Sequence, residues 1–98
     1  MDLVPELKDI AKAFAKDKTV VHYKSTSLCV GKKVFVMVVK GDLVVKLPAA
    51  RAQELVAEGR GRFHTAGGRA MKEWFTSPVA HKAEWVKLAK ESKAFVAG

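Results

Sequence analysis

The sequence predicts an α+β domain, an antiparallel sheet meander flanked by helices, with its elements in the order α-β-β-β-α-β-α. Three observations lead to this reading. Apolar residues recur at helical spacing near both ends of the chain. Between Thr19 and Leu47 the spacing shortens to two and the composition turns β-branched. Glycine-containing turn signals punctuate that middle stretch.

Residues 3–16 read as a helix, with Leu3, Leu7, Ile10, Ala11 and Phe14 on one face. Lys8, Asp9, Lys12 and Lys16 fall largely off that face. Asp2 is the expected N-cap, and Pro5 falls in the tolerant first turn. Lys16 and Lys18 complement the C-terminal dipole, and Asp17-Lys18 breaks the pattern. Residues 19–23 then read as a strand, 27–30 as a second piece or a continuation, 33–40 as a third, and 43–47 as the end of the run. Gly31-Lys32 and Gly41-Asp42 are the tight-turn signals that make neighbouring strands antiparallel. The stretch 34–39 is apolar on both faces, which predicts a central strand covered on both sides. Lys46 interrupts Leu43-Val44-Val45 and puts one side of that strand near water.

Pro48 opens a new element. Residues 49–58 carry strong helix formers with Ala52, Leu55 and Val56 as the apolar set, and Gly59 is the expected stop. Gly59-Arg60-Gly61-Arg62 reads as a flexible basic loop and Thr65-Ala66-Gly67-Gly68-Arg69 as a second loop, with Phe63 an anchor between them. Residues 71–76 read as a late strand that Ser77-Pro78 ends, because proline cannot donate to a ladder. Residues 79–96 read as a second amphipathic helix. Trp85, Leu88, Ala89, Phe95 and Val96 form its apolar face, and Lys82, Lys90 and Lys93 lie opposite.

Ninety-eight residues supply one hydrophobic core, so residues 1–98 are expected to be a single domain. The longest apolar run, from Val34 to Val39, is far short of the roughly 20 residues that cross a bilayer. The opening MDLVPELKDI has no basic segment followed by an apolar stretch, so no signal peptide is expected. Cys29 is the only cysteine, which excludes an intramolecular disulfide and fits a reducing, cytoplasmic compartment. Its expected role is that of a small buried hydrophobe in a strand.

Charge is the compositional oddity. Eighteen Lys and Arg stand against ten Asp and Glu, for a net charge of +8 and a pI near 9.8. Such a field attracts polyanions, nucleic acid before membrane. The plainer reading of a lysine-rich surface is a solvated face. The candidate polyanion-binding residues are Lys32 and Lys33 at a hairpin tip, Arg60, Arg62 and Arg69 in the loops, and Lys82, Lys90 and Lys93 on the last helix. No helix-turn-helix pattern and no aromatic pair on a strand accompanies them. Contact with DNA or RNA is therefore expected to be weak, salt-sensitive and poorly sequence-selective.

Catalytic and metal chemistry find little support. His22, His64 and His81 have no local ligand partner, so neither a metal nor a cofactor is expected. A Cys29–His22 nucleophile pair lacks an orienting third group. The glycine-rich stretches match no phosphate-loop pattern. Trp74 and Trp85 read as core aromatics, or alternatively as a pocket wall or protein interface.

The segment Val30-Gly31-Lys32-Lys33-Val34-Phe35-Val36-Met37-Val38-Val39-Lys40-Gly41-Asp42-Leu43-Val44-Val45-Lys46-Leu47-Pro48 resembles the hairpin of the TfoX N-terminal domain family. These are small bacterial proteins related to the TfoX/Sxy regulators of natural competence. Glu54-Leu55-Val56-Ala57-Glu58-Gly59 and Gly68-Arg69-Ala70-Met71-Lys72-Glu73-Trp74 are similar to short actinobacterial-type members. The resemblance runs from about Thr19 to Val96 and reaches, more distantly, the MmcQ/YjbR-like proteins. It implies a curved antiparallel sheet with flanking helices, and a regulatory binding role without catalysis, through nucleic acid or a nucleoprotein partner in transcriptional regulation. It carries over no active-site residues. Two other readings stay open: a protein–protein adaptor or homodimer, and a small-molecule binder or enzyme using a pocket near Cys29, Tyr23 and Trp74.

Overall fold

The computed structural model describes residues 3–66 and 68–97, leaving aside the side chains of 22–24 and 66. The expected N-cap Asp2, the loop residue Gly67, and the side chains of His22 and Tyr23 lie outside the described residues. The helix α1 (Pro5–Ala13) is shorter than its apolar pattern, because Pro5 fixes the first turn and Val4 is extended. Leu3 and Phe14 flank it and are buried all the same. The strands β1 (Val20–Lys24), β2 (Ser27–Val30), β3 (Lys33–Val39) and β4 (Asp42–Lys46) form the antiparallel meander.

Two-residue turns join its inner strands. Gly31, with φ of 62°, starts the β2–β3 turn; Lys40 and Gly41, at 53° and 85°, make the β3–β4 turn. Two successive positive φ values give the turn twist that matches paired strands. The second turn thus sits one residue earlier than the Gly41-Asp42 signal, and Asp42 already pairs with Val39.

The helix α2 (Ala49–Ala57) ends as its sequence requires. Gly59 N–H bonds to Val56 O and Arg60 N–H to Leu55 O, both at 3.0 Å, around a glycine at φ of 75°. Beyond it the expected loops are strands: β5 (Arg62–Ala66) pairs with β6 (Arg69–Ser77). The glycine signal misleads here because Gly61 serves a close approach. A Cβ on it would lie 2.2 Å from Thr76 O and 2.5 Å from the Phe75 ring. The last helical stretch also divides, into a 3₁₀ segment (Val79–Glu84) and α3 (Trp85–Ala97), with His81 out of helical geometry. Asp42 accepts the Val79 N–H at 3.2 Å and anchors that segment to the sheet.

The fold is α+β, with a six-stranded antiparallel sheet in the order β1-β2-β3-β4-β6-β5. Helices α1 and α3 pack over the central strands and α2 over β5 and β6. One core joins them, built on Leu28, Phe35, Val36, Leu43, Val45 and Phe75 from the sheet and Leu7, Ile10, Leu55, Trp85 and Leu88 from the helices. Strand β3 is central as expected, but helices cover only one of its faces. A bulge breaks its alternation: Leu28 pairs with Val36 while Cys29 pairs with Val34, which leaves Phe35 as the extra residue. Phe35 and Val36 are both fully buried, and Phe35 meets Phe14 edge-on at 5.6 Å. The alternate residues Val34, Met37 and Val39 lie half-buried on the helix-free face.

The bulge interrupts the ladder between β3 and β4. Ser92 of α3, fully buried, donates to Phe35 O at 2.5 Å and accepts the Lys46 N–H at 3.1 Å. A second buried hydroxyl, on Ser77, accepts the Trp85 indole N–H at 3.1 Å. Ser92→Ala would orphan a buried donor and a buried acceptor, and should cost about 1–3 kcal/mol in urea unfolding, with the larger end favoured. Gly61→Ala should cost a similar amount by overpacking, roughly 1–3 kcal/mol in the same measurement.

Candidate polyanion-binding surface

Ion pairing sorts the cations into two groups. Five of them engage seven carboxylates: Arg51 with Glu54 and Glu91, Arg60 with Glu58 and Glu84, Arg62 with Asp42, Lys82 with Asp9, and Lys93 with Asp17. Of the eight residues expected to bind a polyanion, Arg60, Arg62, Lys82 and Lys93 are therefore committed to carboxylates. Lys32, Lys33, Arg69 and Lys90 have no carboxylate partner among the described residues. The eight do not form one surface. The strand directions put Arg60, Arg62 and Lys82 at the end of the sheet where β6 finishes, and Lys32, Lys33 and Arg69 at the opposite end. Arg62 and Arg69 are strand residues, corrected from the loops the glycines suggested.

At that second end, Lys32 and Lys33 gain two neighbours absent from the expected set. The Gly31 turn projects both lysines from the β2–β3 tip, and with Lys18 they rim an open groove of about 620 Å³. Its floor is apolar, formed by Val21, Val30 and Val96. Lys33 also borders a smaller hollow of about 160 Å³ with Lys46, beside Phe95 and Val96. Three lysines, Lys18, Lys32 and Lys33, thus stand at the C-terminal turn of α3, while Lys46 lines the smaller hollow but carries its ammonium over Trp74 on the other face of the sheet. Glu73 is the one carboxylate lining either hollow among the described residues. The helix C-terminus carries only about half a negative charge, so it offsets a small part of the three positive ones.

Local structure places Lys18 and Lys46 differently. Asp17 takes bonds from the Thr19 N–H at 2.9 Å and the Thr19 hydroxyl at 2.5 Å, and its other oxygen pairs with Lys93. The turn is locked through Asp17, which leaves Lys18 exposed beside it. Lys46 lies over the Trp74 ring, 5.7 Å from its centroid. The sequence held a signal for both. Lys46 broke an apolar strand, and Lys18 ended a helix, but neither pattern tells which other cations stand nearby.

The remaining chemistry is sparse. Among the described residues no three His, Cys, Asp or Glu side chains converge to hold a metal ion. Cys29 is buried, and burial pushes its thiol above the ordinary range, which keeps it protonated. Trp85 is a core aromatic, whereas Trp74 is half-buried on the helix-free face under Lys46. No described helix is long and apolar enough to cross a membrane. Comparison with protein-family models, with curated proteins and with solved structures finds no match to this chain.

The Lys93 contact, followed by the Thr19 hydroxyl and N–H, lowers the Asp17 carboxyl from 3.8 to about 2. The unfolded chain takes up this proton at higher pH than the folded one, so stability falls as pH drops from about 4 to about 2. Lys93→Ala should flatten that part of a stability-versus-pH curve measured by urea unfolding, while leaving the curve shape above it unchanged.

Proposed function

We propose that this chain is a non-catalytic regulatory binding domain that contacts nucleic acid through Lys18, Lys32 and Lys33. The observation that carries the reading is the segregation of charge. Most described carboxylates are absorbed by ion pairs, while three lysines stand at the end of α3 and Glu73 is the one carboxylate lining the hollows there. Lysine side chains at a hairpin tip meet phosphates as point charges, without the bidentate geometry that arginine brings to a base edge. Backbone contact of this kind positions a duplex without reading its sequence. The reading agrees with the regulatory role that the TfoX-like hairpin implies, in a cytoplasmic bacterial setting.

A second reading, a protein–protein module, rests on β1. It is an edge strand, and Val21 on it is 48% exposed. A partner strand added there would extend the sheet.

Fluorescence anisotropy with generic duplex DNA, single-stranded DNA and RNA at two salt concentrations separates the two. Three phosphate contacts predict a slope of log K against log salt of about −2.7 for duplex DNA. Changing Lys18, Lys32 and Lys33 together to Ala should bring that slope close to zero and weaken binding across all sequences. Lys82→Ala, at the other end of the sheet, should leave it unchanged. Absence of binding at low salt, or equal losses in both variants, would overturn the nucleic-acid reading and leave the β1 edge as the working surface.

A further inference from the structure

A second concavity lies on the sheet face that no helix covers, at the opposite end from Lys32 and Lys33. It has a volume of about 270 Å³ and is bordered by the β3–β4 turn on one side and β5 on the other. At roughly 30 Å³ per water, it holds about nine waters, or a ligand of comparable size. Val44 and Thr76 form its base. Register places them side by side on β4 and β6, and they are 0% and 3% exposed. Helices do not cover this face, so the burial comes from the rims of the groove itself.

The polar groups around that base are of one kind. Lys40, Arg62 and His64 line the groove, and no carboxylate does among the described residues. Arg62 on β5 reaches past β6 to Asp42 on β4, its Nη2 donating to Oδ2 at 3.1 Å. The other Asp42 oxygen is taken by the Val79 N–H. Asp42 therefore holds the guanidinium in place with no oxygen left over, and most of the five guanidinium N–H donors remain for a ligand. Lys40 has no carboxylate partner among the described residues. Its backbone sits at φ of 53°, in a turn position where Gly, Asn or Asp is the unstrained choice. A lysine held there against its backbone preference puts a cation at the rim, and strain of this sort concentrates where a side chain has work to do.

We propose that this groove is a binding site for a small organic anion, a carboxylate or phosphate group carried on a compact apolar body. The anionic group sits among Lys40, Arg62 and His64, and the apolar body lies along Val39, over the sealed base of Val44 and Thr76. The site shares none of the lysines assigned to nucleic acid, so each reading stands or falls without the other.

Two-dimensional amide NMR titrations at constant ionic strength test it. Hexanoate and hexyl phosphate carry both parts of the ligand; acetate and inorganic phosphate carry only the charge. The expected result is saturable shifts at Lys40, His64, Thr65 and Thr76. One or both hexyl probes should bind about tenfold more tightly than the matching small anion, as burial of the added methylenes requires. Whichever of the two binds better assigns the head group. Lys40→Gly removes the cation and suits the turn better, so it should keep or raise the thermal midpoint while weakening the hexyl probe at least about fivefold. Linear, unsaturated shifts spread over the lysine-rich end would overturn the proposal. So would a hexyl probe no tighter than acetate or phosphate, or undiminished binding by a folded Lys40→Gly variant.

Discussion

The position of α3 rests on one buried hydroxyl. The bulge at Phe35 turns a large ring toward the helices and separates β3 from β4 one step past Val36 and Val45. A carbonyl and an N–H are then left facing the core, and leaving either unpaired costs about 1–3 kcal/mol, a sizeable fraction of a domain's margin of stability. Ser92 resolves both at once, as donor to one and acceptor from the other. Because a hydroxyl satisfies that pair only from one place, the sliding position of α3 along the sheet is set there. The Trp85 indole, bonded to Ser77 two turns earlier, sets its rotation.

Once α3 is fixed, its last turn lies beside the β2–β3 tip and the end of β4. Lys33 and Lys46 come close to Phe95 and Val96 for that reason. Lys93, one turn after Lys90, meets Asp17 and closes the segment between α1 and β1, which brings Lys18 to the rim of the same groove. The cationic end of the sheet is thus a consequence of how α3 docks. The opposite end is built from compensated charges, with Asp42, Glu58 and Glu84 each meeting an arginine. The two concavities inherit this difference. One is open and rimmed by the exposed Lys18, Lys32 and Lys33; the other is narrower, and its arginine is held by Asp42.

The parts of the fold written in local pattern were legible. Helical spacing at Leu7 and Ile10 and at Trp85, Leu88 and Ala89 marked buried helix faces, and Gly31 and Gly59 marked chain reversals whose φ values need glycine. The strand β5 was not legible. Gly61 and Gly68 bracket it, and glycine reports a flexible loop and a crowded backbone with the same letter. Only the distance from Gly61 to Thr76 and Phe75 separates those meanings. Phe35 posed the same problem in a strand, where an unbroken apolar run reads as burial on two faces. The bulge that aims two consecutive residues at one face depends on the partner strand, which the run itself does not encode.

The sequence by itself determined the α+β class, the meander and its turns, the helix faces and an excess of positive charge. Each follows from residues within a few positions of one another, through spacing, backbone preference or simple count. Tertiary structure decided which cations remain without a carboxylate. Lys93 and Asp17 are 76 residues apart, and Arg60 and Glu84 are 24 apart. Pairing at such separations depends on where elements dock, so a lysine spent on an ion pair and a lysine free to meet a phosphate are the same letter until the chain has folded.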